Sequence, residues 1–223
     1  MDDLTLIIPA KNEKESLPHV LNELKKYNLK TIIVLEESDK ETINSLKNFN
    51  CEILFQKNKG YGDALIQGIN YVHTKFFCIF NADGSFDPIE LSNMYKKILQ
   101  DGNDLIFASR YEKNCSSEDD TLITYLGNFI FTKIGQIFFN LKITDILYTF
   151  VMGNTSKVQN LNLSYKDFSF CVELPIKAKK NKLSLTTSKA NERARIGGKK
   201  KVNAFRDGFL ILRSMINLFF NKN

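Results

Sequence analysis

The chain has 223 residues, 43% of them hydrophobic and 25% charged, which excludes disordered and fibrous classes and suffices for one large domain with its own core. Its net charge of +6 at pH 7 gathers late, in KAKKNK (177–182) and ARIGGKKKV (194–202). Such a patch calls for an anionic partner, whether nucleic acid, an anionic membrane or a phosphorylated substrate.

The opening, MDDLTLIIPAKNE, carries acids where a secretory signal needs basic residues, which predicts the cytosolic side. The apolar runs LTLIIP, TIIVLE, CEILF, FFCIF and DLIFA then alternate with helix-like segments, and that alternation predicts a parallel α/β sheet. Ligands of such sheets collect at the carboxyl ends of the strands. The loops that follow the first four runs, AKNEKES, EESDKE, QKNKGYG and NADGSFD, are polar and partly acidic. A nicotinamide-binding domain is disfavoured because PAKNEKES lacks the glycines of that fingerprint. Ser38 with Glu41 reads as a capping box for a helix beginning near Asp39, and Asp87, Pro88 and Glu90 read as the cap and first turn of the next. Asp83 stands between a strand end and a glycine and has no capping duty. It is the carboxylate left for chemistry. The segment Lys59-Gly60-Tyr61-Gly62-Asp63 leads into a helix where backbone N–H groups approach an anion closely, or else it is a plain turn.

The second half holds a long apolar segment, 121–142, in which Thr124, Asn128, Thr132, Gln136 and Asn140 recur every four residues. A membrane span is conceivable by length, but the polar stripe predicts an amphipathic helix in a membrane interface or over the active site. The alternative is an apolar face packed on the sheet. A second amphipathic helix ends the chain, over 203–223. Cys51, Cys78, Cys115 and Cys171 form no CxxC pair and read as reduced thiols. His19 and His73 stand alone without paired ligands.

LTLIIPAKNEKESLPHVLNEL, NKGYGDALIQGI, FNADGSFDP and ASRY together resemble family 2 glycosyltransferases with the GT-A fold. Within that family they are similar to the branch of dolichol-phosphate mannose synthase and the bacterial polyprenyl-phosphate glycosyltransferases. The resemblance implies a Rossmann-like, mostly parallel sheet flanked by helices, with C-terminal amphipathic helices. It implies one domain over 1–223, with a nucleotide-sugar half (1–112), an acceptor half (113–202) and the C-terminal helix (203–223).

For the donor site, the resemblance implies Pro9, Ala10, Asn12 and Glu13 around the nucleobase and ribose, and Glu36 and Glu37 where the family usually has an Asp pair. Lys59, Gly60 and Gly62 would meet the diphosphate. Asn81-Ala82-Asp83 stands at the family's DxD element, with Asp83 ligating Mg²⁺ or Mn²⁺ and Asn81 or Ser85 supporting it. On the acceptor side it implies a phosphate clamp of Arg110, Arg195, Lys199 and Lys201, with Asp145 at an acid often proposed as a base. Thr149-Phe150-Val151 departs from the family's Gly-Phe-Arg, and Glu173 resembles a helical family acid with a surface role as the alternative. The expected activity is inverting, metal-dependent transfer of a hexose from a UDP- or GDP-sugar to polyprenyl phosphate at the cytosolic membrane face. A saccharide acceptor or a non-catalytic nucleotide-binding homologue is the alternative, and nucleic acid is not an expected partner.

Overall fold

Side chains alternate in β1 (Leu4–Pro9): Leu4, Leu6 and Ile8 enter one hydrophobic layer and Ile7 the other, as the two-residue period of an extended chain dictates. A strand apolar on both faces must lie inside a sheet covered on both sides. The computed structural model describes residues 1–197 and 203–221. Within them β1, β2 (Lys30–Leu35), β3 (Glu52–Phe55), β4 (Phe76–Ile79), β5 (Leu105–Ser109), β6 (Val151–Asn154) and β7 (Leu185–Lys189) form one sheet in the order β3-β2-β1-β4-β6-β5-β7. Only β6 runs against its neighbours, pairing antiparallel with both β4 and β5; the other pairs are parallel.

The helices are α1 (Ser16–Leu24), α2 (Lys40–Ser45), α3 (Tyr61–Tyr71), α4 (Ile89–Asp101), α5 (Leu122–Phe139), α6 (Thr155–Gln159), α7 (Phe170–Lys180) and α8 (Ala204–Phe220). Leu17, Val20 and Leu21 of α1 and Leu91, Met94 and Ile98 of α4 cover one face. Leu65 and Ile69 of α3, Val172 and Ile176 of α7, and Ile211 and Met215 of α8 cover the other. This is the α/β architecture expected, with the five early runs as β1 to β5. The strands β6 and β7 come from beyond residue 112 and complete the same sheet.

Two local expectations change. Asp39 caps α2 by accepting from Thr42 N at 3.3 Å, so the Ser38 box does not form, and Glu41 pairs instead with Lys14 at 2.9 Å. The alternative that packs the apolar face of α5 on the sheet also fails, because the polar stripe is the face that points inward. Asn128 and Thr132 are buried, Gln136 Nε2 donates to Ile143 O at 3.0 Å, and Asn140 closes the helix in the left-handed region at φ 52°. The apolar face is therefore not on the sheet: Leu122 is 74% and Ile137 72% exposed. Phe219 of α8 meets Phe138 and Phe139 edge-on at 5.8 and 5.9 Å, and Phe205, Phe209 and Phe220 of α8 are exposed as well. By length and composition, α5 is long and apolar enough to cross a membrane.

Candidate active site

The strand order reverses at β1 and β4, and at such a point the connections leave on opposite faces and open a crevice at the strands' carboxyl ends. A cavity of about 600 Å³ occupies this place, walled by Pro9, Ala10 and Glu13 after β1, Glu36 after β2, Asn81 to Asp83 after β4, and Arg110 after β5.

On the wall expected to meet the donor, Glu13 is buried and accepts from Ser16 Oγ at 2.6 Å while its own N–H donates to Thr42 Oγ1 at 3.0 Å. Glu36 accepts from Lys11 Nζ at 2.8 Å, and that bond holds its carboxyl below the usual carboxylate range. Asn12 takes φ 54° and donates its N–H to Asp39 at 2.7 Å. It stands outside the cavity wall, as do exposed Glu37, 3.7 Å from Lys40, and exposed Lys59.

Asp83 reaches the cavity from a fixed turn. Its Oδ1 accepts from Ser85 N at 3.0 Å and Ser85 Oγ at 2.7 Å, leaving Oδ2 toward Arg195 Nη1 at 3.6 Å. Gly84 makes this turn possible: its φ is 84°, and a Cβ there would lie 2.5 Å from Ile196 Cδ1. Ser85 is buried and acts on the carboxylate rather than on the cavity. Among the described residues no three His, Cys, Asp or Glu side chains gather to hold a metal. The chemistry of Asp83 with an Asn81 amide fits a hard cation arriving on a diphosphate, since Mg²⁺ is commonly held by one or two carboxylates plus substrate phosphates.

Gly60, which precedes α3, and Gly62, in its first turn, serve the chain's own backbone. A Cβ on Gly60 would sit 2.1 Å from Lys166 O, and one on Gly62 would sit 2.2 Å from Tyr165 O. Asp63 N donates to Lys166 O at 3.1 Å, and the Asp63 carboxylate takes Asn58 N and Nδ2. Gly60 borders the cavity, but Gly62 is buried under the 165–167 segment, which corrects its expected place against a diphosphate. Glu173 is fully buried and pins that segment by accepting from Ser164 N and Tyr165 N, so it has no surface role.

The wall expected to meet the acceptor is built around Arg110. Its Nε and Nη2 donate to Asp145 at 2.8 and 3.0 Å, Nη1 donates to Glu192 at 2.9 Å, and Asp120 lies 3.4 Å from the same nitrogen. Burial works against the charged form, yet these carboxylates raise its pKa well above the ordinary value. The rings of Tyr148 and Tyr111 flank the guanidinium, with centroids at 4.4 and 5.2 Å. With its donors committed and 9% exposure, Arg110 anchors the wall instead of offering a fork to a phosphate. Asp145 is fully buried beneath the cavity and also receives Asn128 Nδ2, so it stands away from any acceptor proton. Arg195 does face the cavity. It forms a fork on Asp119 at 2.9 and 2.8 Å, a pairing that raises its pKa. Lys199 and Lys201 lie outside the described residues.

Sequence reasoning missed Glu192, Asp119, Asp120 and Tyr148. Asp119 and Asp120 precede α5 as an acidic pair, which is the signal a cap usually leaves. Glu192 and Tyr148 carry no periodic or spaced pattern. Burial pushes the Glu192 carboxyl up, against the pull of Arg110. Val151, where the family has arginine, is a buried residue of β6.

The mostly parallel sheet, the crevice at its reversal and a carboxylate beside an amide after β4 define a transferase of the GT-A fold. The chain belongs to Glycosyl transferase family 2, whose profile matches residues 5–161. It is 28% identical over 204 residues to the UDP-N-acetylglucosamine–dolichyl-phosphate N-acetylglucosaminyltransferase of Methanococcus voltae, covering 81% of each chain. An uncharacterized protein of Methanocaldococcus jannaschii is 26% identical over 149 residues, 65% of this chain and 61% of that one. Among solved structures, glucosyl-3-phosphoglycerate synthase from Mycobacterium tuberculosis with UDP superposes at TM-score 0.77 and 11% identity, over 99% of this chain and 81% of that one. The same enzyme with Mn²⁺, UDP-glucose and phosphoglyceric acid gives 0.74 at 10% identity, over 99% and 80%. At these identities the likeness is one of fold.

Proposed function

We propose that this chain transfers a hexosyl group, with inversion, from a UDP- or GDP-linked sugar to a polyprenyl phosphate at the cytosolic surface of a membrane. One observation carries the reading: the cavity runs from Asp83 to Thr124 and Asn128 on the inner side of α5, and the outer side of that helix is exposed and apolar. A lipid-borne acceptor reaches the donor site there without leaving the membrane surface. The Methanococcus voltae relative, named for a dolichyl-phosphate acceptor, supports the same class.

In this reading Pro9, Ala10, Glu13 and Glu36 hold the nucleoside, with Gly60 and Ala82 at its border. Asp83, with Asn81, would hold Mg²⁺ or Mn²⁺ arriving with the nucleotide, and the ion would supply charge that neutralises the diphosphate leaving group. Arg195 lies on the same wall and adds positive charge. A phosphate monoester, with a second pKa of about 6, is already an anionic nucleophile at neutral pH and needs positioning more than deprotonation. The acceptor oxygen attacks the anomeric carbon opposite the diphosphate, which inverts the configuration. Asp145 acts by fixing Arg110, not as a base.

The commitment of Arg110 to carboxylates favours a second reading, a saccharide acceptor whose hydroxyl proton passes to Glu192. Radiolabelled UDP-glucose, UDP-N-acetylglucosamine and GDP-mannose, given to the purified protein with polyprenyl phosphate vesicles and Mn²⁺, separate the two. Label in the organic extract is the expected result, label in a water-soluble glycan supports the second reading, and background in both means a non-catalytic homologue.

A further inference from the structure

Tyr148 occupies the joint between the donor and acceptor walls. Its ring lies 4.9 Å from that of Phe86, three residues after Asp83, and 4.4 Å from the Arg110 guanidinium. The residue is 4% exposed and borders the cavity, yet its hydroxyl has no hydrogen-bond partner among the described residues. Other tyrosines of the site are satisfied: Tyr61 lies 2.7 Å from Thr149 Oγ1, and Tyr111 donates to Asp120. A buried hydroxyl without a partner costs stability, so a chain that keeps one calls for an explanation. Burial also raises its pKa well above the usual value, so it stays neutral and serves as donor and acceptor at once.

The neighbouring charges decide what it meets. Beside this hydroxyl the Arg110 guanidinium is engaged by Asp145 and Glu192, so it is not left to a diphosphate at this joint. A neutral, polyhydroxylated group seated between the two walls suits it better. We propose that the Tyr148 hydroxyl is a specificity-determining contact to the transferred sugar, hydrogen-bonded to a hydroxyl or carbonyl oxygen of the hexosyl unit; this rests on the glycosyltransferase reading above.

The test is Tyr148→Phe, with thermal unfolding of the free protein and calorimetry of UDP, GDP, UDP-glucose, UDP-N-acetylglucosamine and GDP-mannose in Mn²⁺. The variant should unfold at the same or a higher temperature, because it loses only an unsatisfied group. UDP and GDP should bind as to the wild type. The preferred nucleotide sugar should bind about 3- to 10-fold more weakly, the loss of one uncharged hydrogen bond. A lower unfolding temperature would overturn the proposal by revealing an internal partner. So would an equal loss for nucleotide and nucleotide sugar, or no loss for either, which would mean a hydroxyl satisfied by water. If the wild type binds none of these nucleotides, the glycosyltransferase reading itself fails and takes this contact with it.

Discussion

Replacing Asp145 by asparagine separates an anchor from a base. Four donors converge on this carboxylate: Oδ2 accepts from Arg110 N at 3.1 Å and Nε at 2.8 Å, and Oδ1 accepts from Nη2 at 3.0 Å and from Asn128 Nδ2. An asparagine supplies one oxygen, so two of these donors face an NH₂ whichever way the amide turns. Removing one partner of a buried, hydrogen-bonded ion pair costs about 3–5 kcal/mol, a large share of the ~5–15 kcal/mol that holds a typical protein folded. With a slope of about 3 kcal/mol/M in urea, the midpoint should fall by about 1–1.7 M. The assay is urea unfolding followed by circular dichroism and tyrosine fluorescence, with turnover measured in parallel on the folded protein. An unchanged midpoint with turnover abolished would refute the anchor and restore Asp145 as the base.

Gly62→Ala should destabilise by about 1–3 kcal/mol, because its Cβ would press on Tyr165 O and Asp167 O at 2.2 and 2.6 Å. Gly127→Ala, with nothing within 4 Å inside α5, should gain about 0.5–1 kcal/mol; equal effects in thermal unfolding would contradict the packing argument. Burial keeps the Glu192 carboxyl above its ordinary range, so the folded chain binds this proton at higher pH than the unfolded chain. The stability it contributes is full below the unfolded pKa and is lost as pH rises through the folded one. Glu192→Gln stays neutral, so its stability relative to wild type should rise with pH across that window and then level off, and a difference flat in pH would contradict the assignment. Serine at Ile137 and Phe209, 72% and 67% exposed, should abolish flotation with anionic vesicles while changing unfolding little; undiminished flotation would remove α5 and α8 from the membrane contact.

The early strands were legible because each is a short apolar run punctuated by polar residues, and Asp83 stood out because no cap or pair explained it. The strand β6 was not, since Val151-Met-Gly-Asn is too short to show a period and its antiparallel place is set by long-range pairing with Cys78 and Ile106. The α5 stripe was read in the right positions, but its direction depends on the 143–147 segment, which offers carbonyl, amide and carboxylate partners to Gln136, Thr132 and Asn128. Gly60 and Gly62 were legible as a need for close approach. What approaches, the backbone of 165–167, lies a hundred residues away and leaves no local mark. Arg110 was visible as a cation at a strand end, but its use was decided by Asp145 and Glu192, which the fold alone brings to it.

The most direct test is calorimetric titration of UDP and GDP into wild type and Asp83→Asn, with and without Mn²⁺. The wild type should bind one nucleotide more tightly with Mn²⁺, and Asp83→Asn should lose that increment while keeping its metal-free binding. The same Mn²⁺ increment in both proteins would place the cation elsewhere and contradict the role given to Asp83.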